Sequence, residues 1–403
     1  MTNLEILIQE LCPDGVEFRT MEEVFEIRNG YTPSKNNPDF WEGGTIPWFR
    51  MEDIRQNGRI LSDAIQHITP AAIKGKGLFP ANSIIIATTA TIGEHALVIA
   101  DSLANQRFTN LAVRKSLSAC LLPKFVFYYM FVIDEWCKKN VNAGNFASVD
   151  MKRFKKLEFP LPPIKVQTEI VRILDKFTSL EAELEAELDC RKRQYEYYRD
   201  KLLSFDNVGG QEVTISKIGD IGRICMCKRI MKNQTNSESG IPFYKIGTFG
   251  KVADAYISND VYEEYKKLYS YPKKGDILMS ASGTIGRTVV FNGKPSYFQD
   301  SNIVWVDNDE TKVFNSYLNY YYQIIEWKTQ GGTIKRLYNN LLAGATIKYP
   351  SLEEQHRIVS ILDRFESLTT SLQSGLPAEI AARRQQYEHY RDKLLTFKRK
   401  GAA

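Results

Sequence analysis

YEYYRDKLLSF at 195–205 and YEHYRDKLLTF at 387–397 are one segment written twice, differing only at Tyr197/His389 and Ser204/Thr396. Upstream lies a second pair, VQTEIVRILDKF at 166–177 and EQHRIVSILDRF at 354–365. The offsets are 192 and 188 residues in a chain of 403, so the molecule is an internal duplication. A repeat is read before any local pattern, because it fixes how many units must be packed.

Apolar residues in both copies recur mostly in steps of three and four. The first copy has Ile170, Ile173, Phe177, Leu180, Leu184, Leu188, Tyr195, Tyr198, Leu202 and Phe205. The second has Ile358, Ile361, Phe365, Leu368, Leu372, Leu376, Ile380, Tyr387, Tyr390, Leu394 and Phe397. So narrow a seam predicts a helix packed against another helix, as in a coiled coil. A helix over 167–205 would be about 58 Å long, more than a globular core needs. The second copy is four residues longer and carries Gly375 and Pro377. Proline removes a backbone donor and clashes with the preceding turn, so a kink or break is expected near 374–378. If the helices run antiparallel, the acidic stretch at 181–189 faces Arg383 and Arg384. Two buried bundle helices, or a homodimeric coiled coil, would satisfy the same seam.

The blocks between the copies differ but echo one another. IPWFRMEDI at 46–54 answers IPFYKIGTF at 241–249. The apolar runs at 83–98 and 276–290 share Thr-Ile-Gly, at 91–93 and 284–286, and Gln106 and Gln299 follow at the same distance. After the first copy the chain continues DNVGGQEVTISKIGDI; the stretch equivalent to this after the second copy is found at the N-terminus, CPDGVEFRTMEEV. The halves would close a ring if the ends met. The expected organisation is a helical segment at 1–15 completing the second half-repeat, variable domains at 16–163 and 207–352, and repeat helices at 164–206 and 353–400. The fold class is α+β: two mixed α/β domains separated by two long antiparallel helices, a coiled-coil spacer, with a pseudo-twofold internal repeat.

Composition is that of an ordinary folded protein, 43% apolar and 25% charged. This excludes a wholly disordered or collagen-like chain. No run of about 18 apolar residues suggests a membrane span. The opening MTNLEILIQELCPDG has Glu5 and Glu10 where a secretory signal would be basic. Six scattered cysteines are too sparse for a disulfide scaffold, so a reduced, cytoplasmic protein is expected. The net charge is +5; residues 16–163 hold 18 basic and 15 acidic side chains, and residues 207–352 hold 18 and 13. The positive excess sits in the variable domains, where a polyanion would bind.

A search for catalytic motifs finds little. HExxH, GxSxG and GxxxxGK[ST] are absent. None of His67, His95, His356 and His389 has a partner at metal-ligand spacing, and Cys225-Met-Cys227 has no second pair. Asn37-Pro38-Asp39-Phe40 resembles the Asn-Pro-Pro-Phe loop of amino-methyltransferases, but its third residue differs and no Gly-rich turn accompanies it; it reads as an Asn-Pro turn. A binding protein is the better expectation, with no metal and no cofactor.

Polar and aromatic residues in loops of the variable domains are the candidate nucleic-acid contacts. The first domain offers Tyr31, Lys35, Arg50, Arg55, Thr89, Thr91, Gln106, Arg107 and Asn145. The second offers Lys228, Arg229, Lys245, Ser280, Ser282, Thr284, Arg287, Gln299, Lys335 and Arg336. Arg and Lys pair with guanine edges or phosphates, and Gln and Asn can read adenine. Thr-Ile-Gly after an apolar strand is a tight turn whose amides and hydroxyls could hold a phosphate. Lys138, Lys139, Lys152, Arg153, Lys155 and Lys156 form a basic cluster that adds unspecific attraction. Each of these residues fits an ordinary solvated surface as well.

The duplicated YRDKLL helices with IVRILDKF and IVSILDRF upstream, the LCPDGVEF opening at 11–18 and the paired Thr-Ile-Gly turns resemble the specificity subunit of type I restriction-modification systems. The resemblance covers essentially the whole chain. It implies a non-catalytic protein whose variable domains are target recognition domains, each reading one half of a split, asymmetric site in double-stranded DNA. The helices would be the ruler between them; one helical turn of about 5.4 Å changes the gap by one or two base pairs. Two modification subunits, carrying the S-adenosylmethionine chemistry on adenine, would dock on the repeat helices, with Tyr198 and Tyr390 as docking residues. Two restriction subunits can join such a complex. Rival readings are a stand-alone adenine methyltransferase, a tandem DNA-binding regulator acting without partners, and a coiled-coil adaptor that binds no DNA.

Overall fold

The computed structural model describes residues 3–142, 147–205, 212–332, 335–371 and 374–401. The chain falls into two units, Met1–Leu184 with Ile380–Ala403, and Glu185–Glu379. The division passes through both repeat segments. The first copy is a single helix, Ile164–Ser204, and the second is two, Leu352–Thr370 and Leu376–Leu394. Each unit therefore holds the start of one copy and the end of the other.

Partners are exchanged accordingly. In the first unit Phe177 stacks on Tyr390 with centroids 5.6 Å apart, and Glu181 pairs with Arg384. Residue numbers rise along one helix as they fall along the other, so the pair is antiparallel. In the second unit Tyr198 stacks on Phe365 at 5.8 Å. The phenylalanine of each ILDxF thus meets the tyrosine of the other copy's YRDKLL. Beyond Glu181, the acidic stretch also serves its own helix: Glu187 and Asp189 pair with Arg191 and Arg193.

The break in the second copy comes a little earlier than the sequence suggested. The helix stops at Thr370 and resumes at Leu376. Gly375 has φ +95°, and a Cβ there would lie 2.7 Å from the Ser367 carbonyl oxygen. Pro377 is the second residue of the new helix, where the missing donor costs nothing. The proline opens this helix rather than breaking the one before it. Leu372 of the seam lies outside the described residues.

The two domains share one sheet order, which bears out the expected pair of mixed α/β domains. The first sheet runs Phe25–Asn29, Phe108–Val113, Ser83–Ala87, His95–Val98 and Ile60–Leu61, antiparallel except for the last pair. The second runs Gly222–Cys225, Ile303–Asn308, Ile277–Ser280 and Thr288–Val290, all antiparallel. A ribbon covers each sheet: His67–Ile68, Ile46–Phe49 and Leu103–Ala104 in one, and Tyr256–Ile257, Ile241–Tyr244 and Tyr297–Phe298, with Thr235–Asn236 added at its edge, in the other. The last two strands pair in parallel in both ribbons. The strand Ser83–Ala87 is wholly buried because it faces two cores. Alternate side chains divide between them: Ile84 and Ile86 pack with the helix Pro123–Lys139, Ile85 and Ala87 with the ribbon.

Each domain hangs on its repeat helix by the same latch. The Gln167 side chain accepts from the Leu122 N–H at 2.9 Å and donates to the Cys120 and Pro162 carbonyls, both at 2.7 Å. Gln355 does the same with Phe314, Lys312 and Pro350 at 3.0, 2.9 and 3.0 Å. Both glutamines are fully buried. Eight residues on, Asp175 accepts from the Tyr128 hydroxyl and Asp363 from that of Tyr320, at 2.7 and 2.6 Å. The chain ends also meet in the first unit: the Val16 N–H donates to the Lys398 carbonyl and the Lys400 N–H to the Val16 carbonyl, at 2.8 and 2.9 Å. Arg399 forks onto Glu158 with both bonds at 2.6 Å. Among the described residues, no helix is long and apolar enough to cross a membrane.

Removing a latch strands buried backbone groups. Gln167→Ala or Gln355→Ala should each cost about 1–3 kcal/mol in denaturant unfolding. Thr168→Ala, whose exposed hydroxyl bonds only its own helix, should cost less than about 0.5 kcal/mol.

Candidate nucleic-acid interface

The first unit builds a basic cleft where its parallel strand pair ends. The Asn105 N–H donates to the Phe49 carbonyl at 3.0 Å, closing the pair, and Arg50 leaves on one side while Gln106 and Arg107 leave on the other. A buried carboxylate fixes the turn: Asp53 takes the Arg50 N–H at 2.6 Å and the Ile65 N–H at 2.7 Å. The resulting cleft of about 390 Å³ collects Lys35, Arg50, Arg55, Gln106 and Arg107 of the expected contacts, together with Asn105. Its carboxylate, Glu52, pairs with Arg50 at 2.9 Å. Thr89 adjoins, since the neighbouring Thr88 N–H donates to the Arg107 carbonyl at 3.0 Å.

Other expected contacts of this unit have structural work instead. The Tyr31 hydroxyl donates to the Ala72 carbonyl at 3.0 Å and accepts the Lys74 N–H at 2.8 Å. The turn at Thr91 packs closely on its neighbours: Gly93 has φ +82°, and a Cβ would sit 2.8 Å from the Asp134 carbonyl oxygen. Asn145 lies outside the described residues.

The second unit repeats this place with other residues. The Gln299 N–H donates to the Tyr244 carbonyl at 2.9 Å, and Lys245 follows Tyr244. Lys245 pairs with Asp254, and Arg229 with Asp300, both at 2.9 Å. The Arg287 guanidinium donates to the Ile246 carbonyl at 3.2 Å and lies over the Phe249 ring. Lys228 covers the Tyr269 ring, while Thr284 and Lys335 are exposed. Ser280 and Ser282 are buried, so their expected role as contacts is corrected. Ser280 Oγ accepts the Arg287 N–H at 3.0 Å inside its turn, and Ser282 Oγ donates to Asn302 at 2.7 Å. Cys227 is buried as well, and burial pushes its thiol up to about 12, so it stays protonated at neutral pH.

Superposing the hydrogen-bond patterns gives the true equivalences. Arg50 corresponds to Lys245 and Asn105 to Gln299. Arg107 corresponds to Asn302, through the bonds from Thr88 and Ala281. The bridges Thr89–Ser148 and Ser282–Arg336 equate Ser148 with Arg336. The equal spacing of Gln106 and Gln299 after Thr-Ile-Gly is therefore misleading by one residue. The second unit has one more residue between Gly286 and the strand Tyr297–Phe298 than the first has between Gly93 and Leu103–Ala104.

The domain described as the type I restriction modification DNA specificity domain matches this chain twice, at residues 13–189 and 210–382. The chain belongs to that family. Each match takes in one variable domain and the first half of the following repeat segment, as the two units do. A putative type I restriction enzyme specificity subunit from Haemophilus influenzae is 56% identical over 260 residues, 62% of this chain and 66% of that protein. The EcoprrI specificity subunit of Escherichia coli is 53% identical over 229 residues, 53% of this chain and 57% of that protein. The chain thus spans somewhat less than two thirds of these relatives. A chain solved in work on complex assembly and conformational transition of the type I R-M system has TM-score 0.63 at 18% identity, covering 94% of this chain and 97% of its own. The HsdS subunit of Thermoanaerobacter tengcongensis has TM-score 0.53 at 16% identity, covering 96% and 97%. These two share the fold.

In this specificity-family chain Tyr198 and Tyr390 are each 39% exposed, with one ring face on the helix seam. Sequence reading missed one buried pair in the first unit. His95 Nδ1 lies 2.6 Å from Asp134, both side chains inside the sheet-to-helix packing, away from the cleft. The partners are 39 residues apart, and no motif announces them. Burial pushes the His95 imidazole below its ordinary range against the pull of Asp134.

Two outcomes are expected. Lys35→Ala and Arg107→Ala should each weaken duplex binding and, together, flatten its salt dependence by up to about two units of slope; titration across salt concentrations measures both. The unfolded chain takes up a proton at His95 near pH 6.5 while the fold resists it. Stability of the first unit is therefore complete above that pH and declines as the pH falls below it. His95→Gln should flatten the fall in unfolding midpoint between pH 7 and 5.

Proposed function

We propose that this chain is the DNA-reading subunit of a cytoplasmic type I restriction-modification complex. Each unit reads one half of a two-part, asymmetric site in double-stranded DNA. The observation that carries this reading is one backbone place bearing different chemistry in the two units: Arg50 against Lys245, Asn105 against Gln299, Arg107 against Asn302, Ser148 against Arg336. A shared scaffold with unlike side chains at the reading edge suits two different half-sites.

The repeat helices offer the matching logic for partners. Two identical modification subunits need two like surfaces, and the stacks Tyr198–Phe365 and Tyr390–Phe177 supply a pair. Restriction subunits can then join the assembled complex. The modification subunits hold the methyl-transfer chemistry and receive the target adenine once it leaves the stack. This chain orients them and performs no chemistry itself.

Methylome sequencing of the host with and without the gene tests the reading. The expected result is loss of adenine methylation at one bipartite, non-palindromic motif. Loss of a palindromic motif, or of none, would refute it. Tyr198→Glu and Tyr390→Glu should weaken capture of the modification subunit; because each tyrosine also stacks on the helix seam, circular dichroism beside the pull-down separates a lost docking surface from a lost helix pair.

A further inference from the structure

The amide side chains at the reading edge are not free to read every base. Asn105 and Gln299 hold the same place in the two units, each closing a parallel strand pair through its backbone N–H. Each then ties its side-chain oxygen to a second backbone N–H. Asn105 Oδ1 accepts from Arg107 at 3.0 Å, and Gln299 Oε1 accepts from Ile246 at 2.9 Å. A backbone N–H only donates, so chemistry fixes the amide orientation: oxygen against the backbone, NH₂ left over. Both side chains are half-buried, and neither NH₂ has a hydrogen-bond partner among the described residues.

Each nearby carboxylate carries a cation on one of its oxygens. Glu52 is paired with Arg50, Asp300 with Arg229 and Asp254 with Lys245. Gln106 takes the Thr32 hydroxyl. Guanidinium, ammonium and amide NH₂ groups give the reading edge its donors, and on Asn105 and Gln299 the group without a partner is the NH₂. Reading adenine through its N7 and N6 edge takes one donor and one acceptor from a single amide, whereas guanine offers two acceptors, N7 and O6.

Resting on the proposed function, we propose that Asn105 and Gln299 are donor-only specificity residues, each recognising a guanine in its own half-site. This reverses the adenine preference that an amide side chain suggests in sequence alone. On each of these two side chains the only acceptor capacity left is the second lone pair of the oxygen already held against the backbone.

The test uses the full complex with its modification subunits and the motif defined by the methylome. Absence of any bipartite motif would overturn the functional reading and, with it, the premise here. With the motif in hand, each guanine is replaced in turn by 7-deazaguanine, which lacks the N7 acceptor. One guanine in each half should show at least about fivefold weaker binding, the lower end of what a base-edge contact contributes. Asn105→Asp and Gln299→Glu keep an oxygen for the backbone N–H and lose the NH₂. Each should abolish the deazaguanine effect in one half only, leaving the other half as an internal control. A half-site without guanine, replacements costing less than about twofold, or unchanged sensitivity in the variants would overturn the proposal. If a variant fails to fold, the deazaguanine series on the unaltered complex still decides.

Discussion

Phe177 against Tyr390 and Phe365 against Tyr198 are the contacts on which the rest of the molecule depends. In a folded protein most of the stability of a helix comes from packing its apolar face, and this 41-residue helix has only a thin one. It needs a partner, and the duplication supplies one. Because phenylalanine and tyrosine lie at opposite ends of each copy, only an antiparallel pairing lets both aromatics of one copy meet the complementary aromatics of the other. Each stack adds about 0.5–1.5 kcal/mol beyond its buried area. That is small beside the two domain cores, so the stacks choose direction and register while the cores provide stability.

The latches explain how unlike domains are borne by like helices. Gln167 and Gln355 touch backbone alone: one N–H and two carbonyls each. Backbone groups are present whatever the side chains are. A domain can therefore change nearly all its surface sequence without disturbing its seat, provided the loop before its helix keeps its path. The tyrosine-to-aspartate bond eight residues on, Tyr128 to Asp175 or Tyr320 to Asp363, asks one side chain of the domain in return.

Sequence reading reached the helices, their seam, the interruption before Pro377 and the α+β class, because periodicity and self-similarity are local properties. It also named five of the ten residues that line the cleft of the first unit, since basic loop residues converge where a ribbon ends. Asn105 escaped it, although the residue sits beside Gln106. The signal was present in the strand pairing but hidden by a one-residue difference in loop length. Tyr31, Ser280 and Ser282 were over-read for a common reason. A polar side chain near a turn has a backbone group within reach, and tying the turn together satisfies it as well as a ligand would. His95 and Asp134 are the opposite case: two unremarkable residues made into a pair by a sheet meeting a helix.

The units hold two kinds of cation. Among the described residues, Lys35, Arg55 and Arg107 of the first unit and Lys228, Arg287 and Lys335 of the second have no carboxylate partner, whereas Arg50 of the first and Lys245 and Arg229 of the second are each held by one. An unpaired cation attracts phosphate at range and releases counterions on contact; a paired one is already partly neutralised, and its geometry is set before DNA arrives. Under the proposed function each unit then holds both kinds of cation, unpaired ones for sequence-independent attraction and paired ones whose geometry is set in advance. A duplex that satisfied one unit alone would release only that unit's counterions and be held weakly, so recognition of a two-part site follows from the phosphate contacts of both units as much as from the base edges.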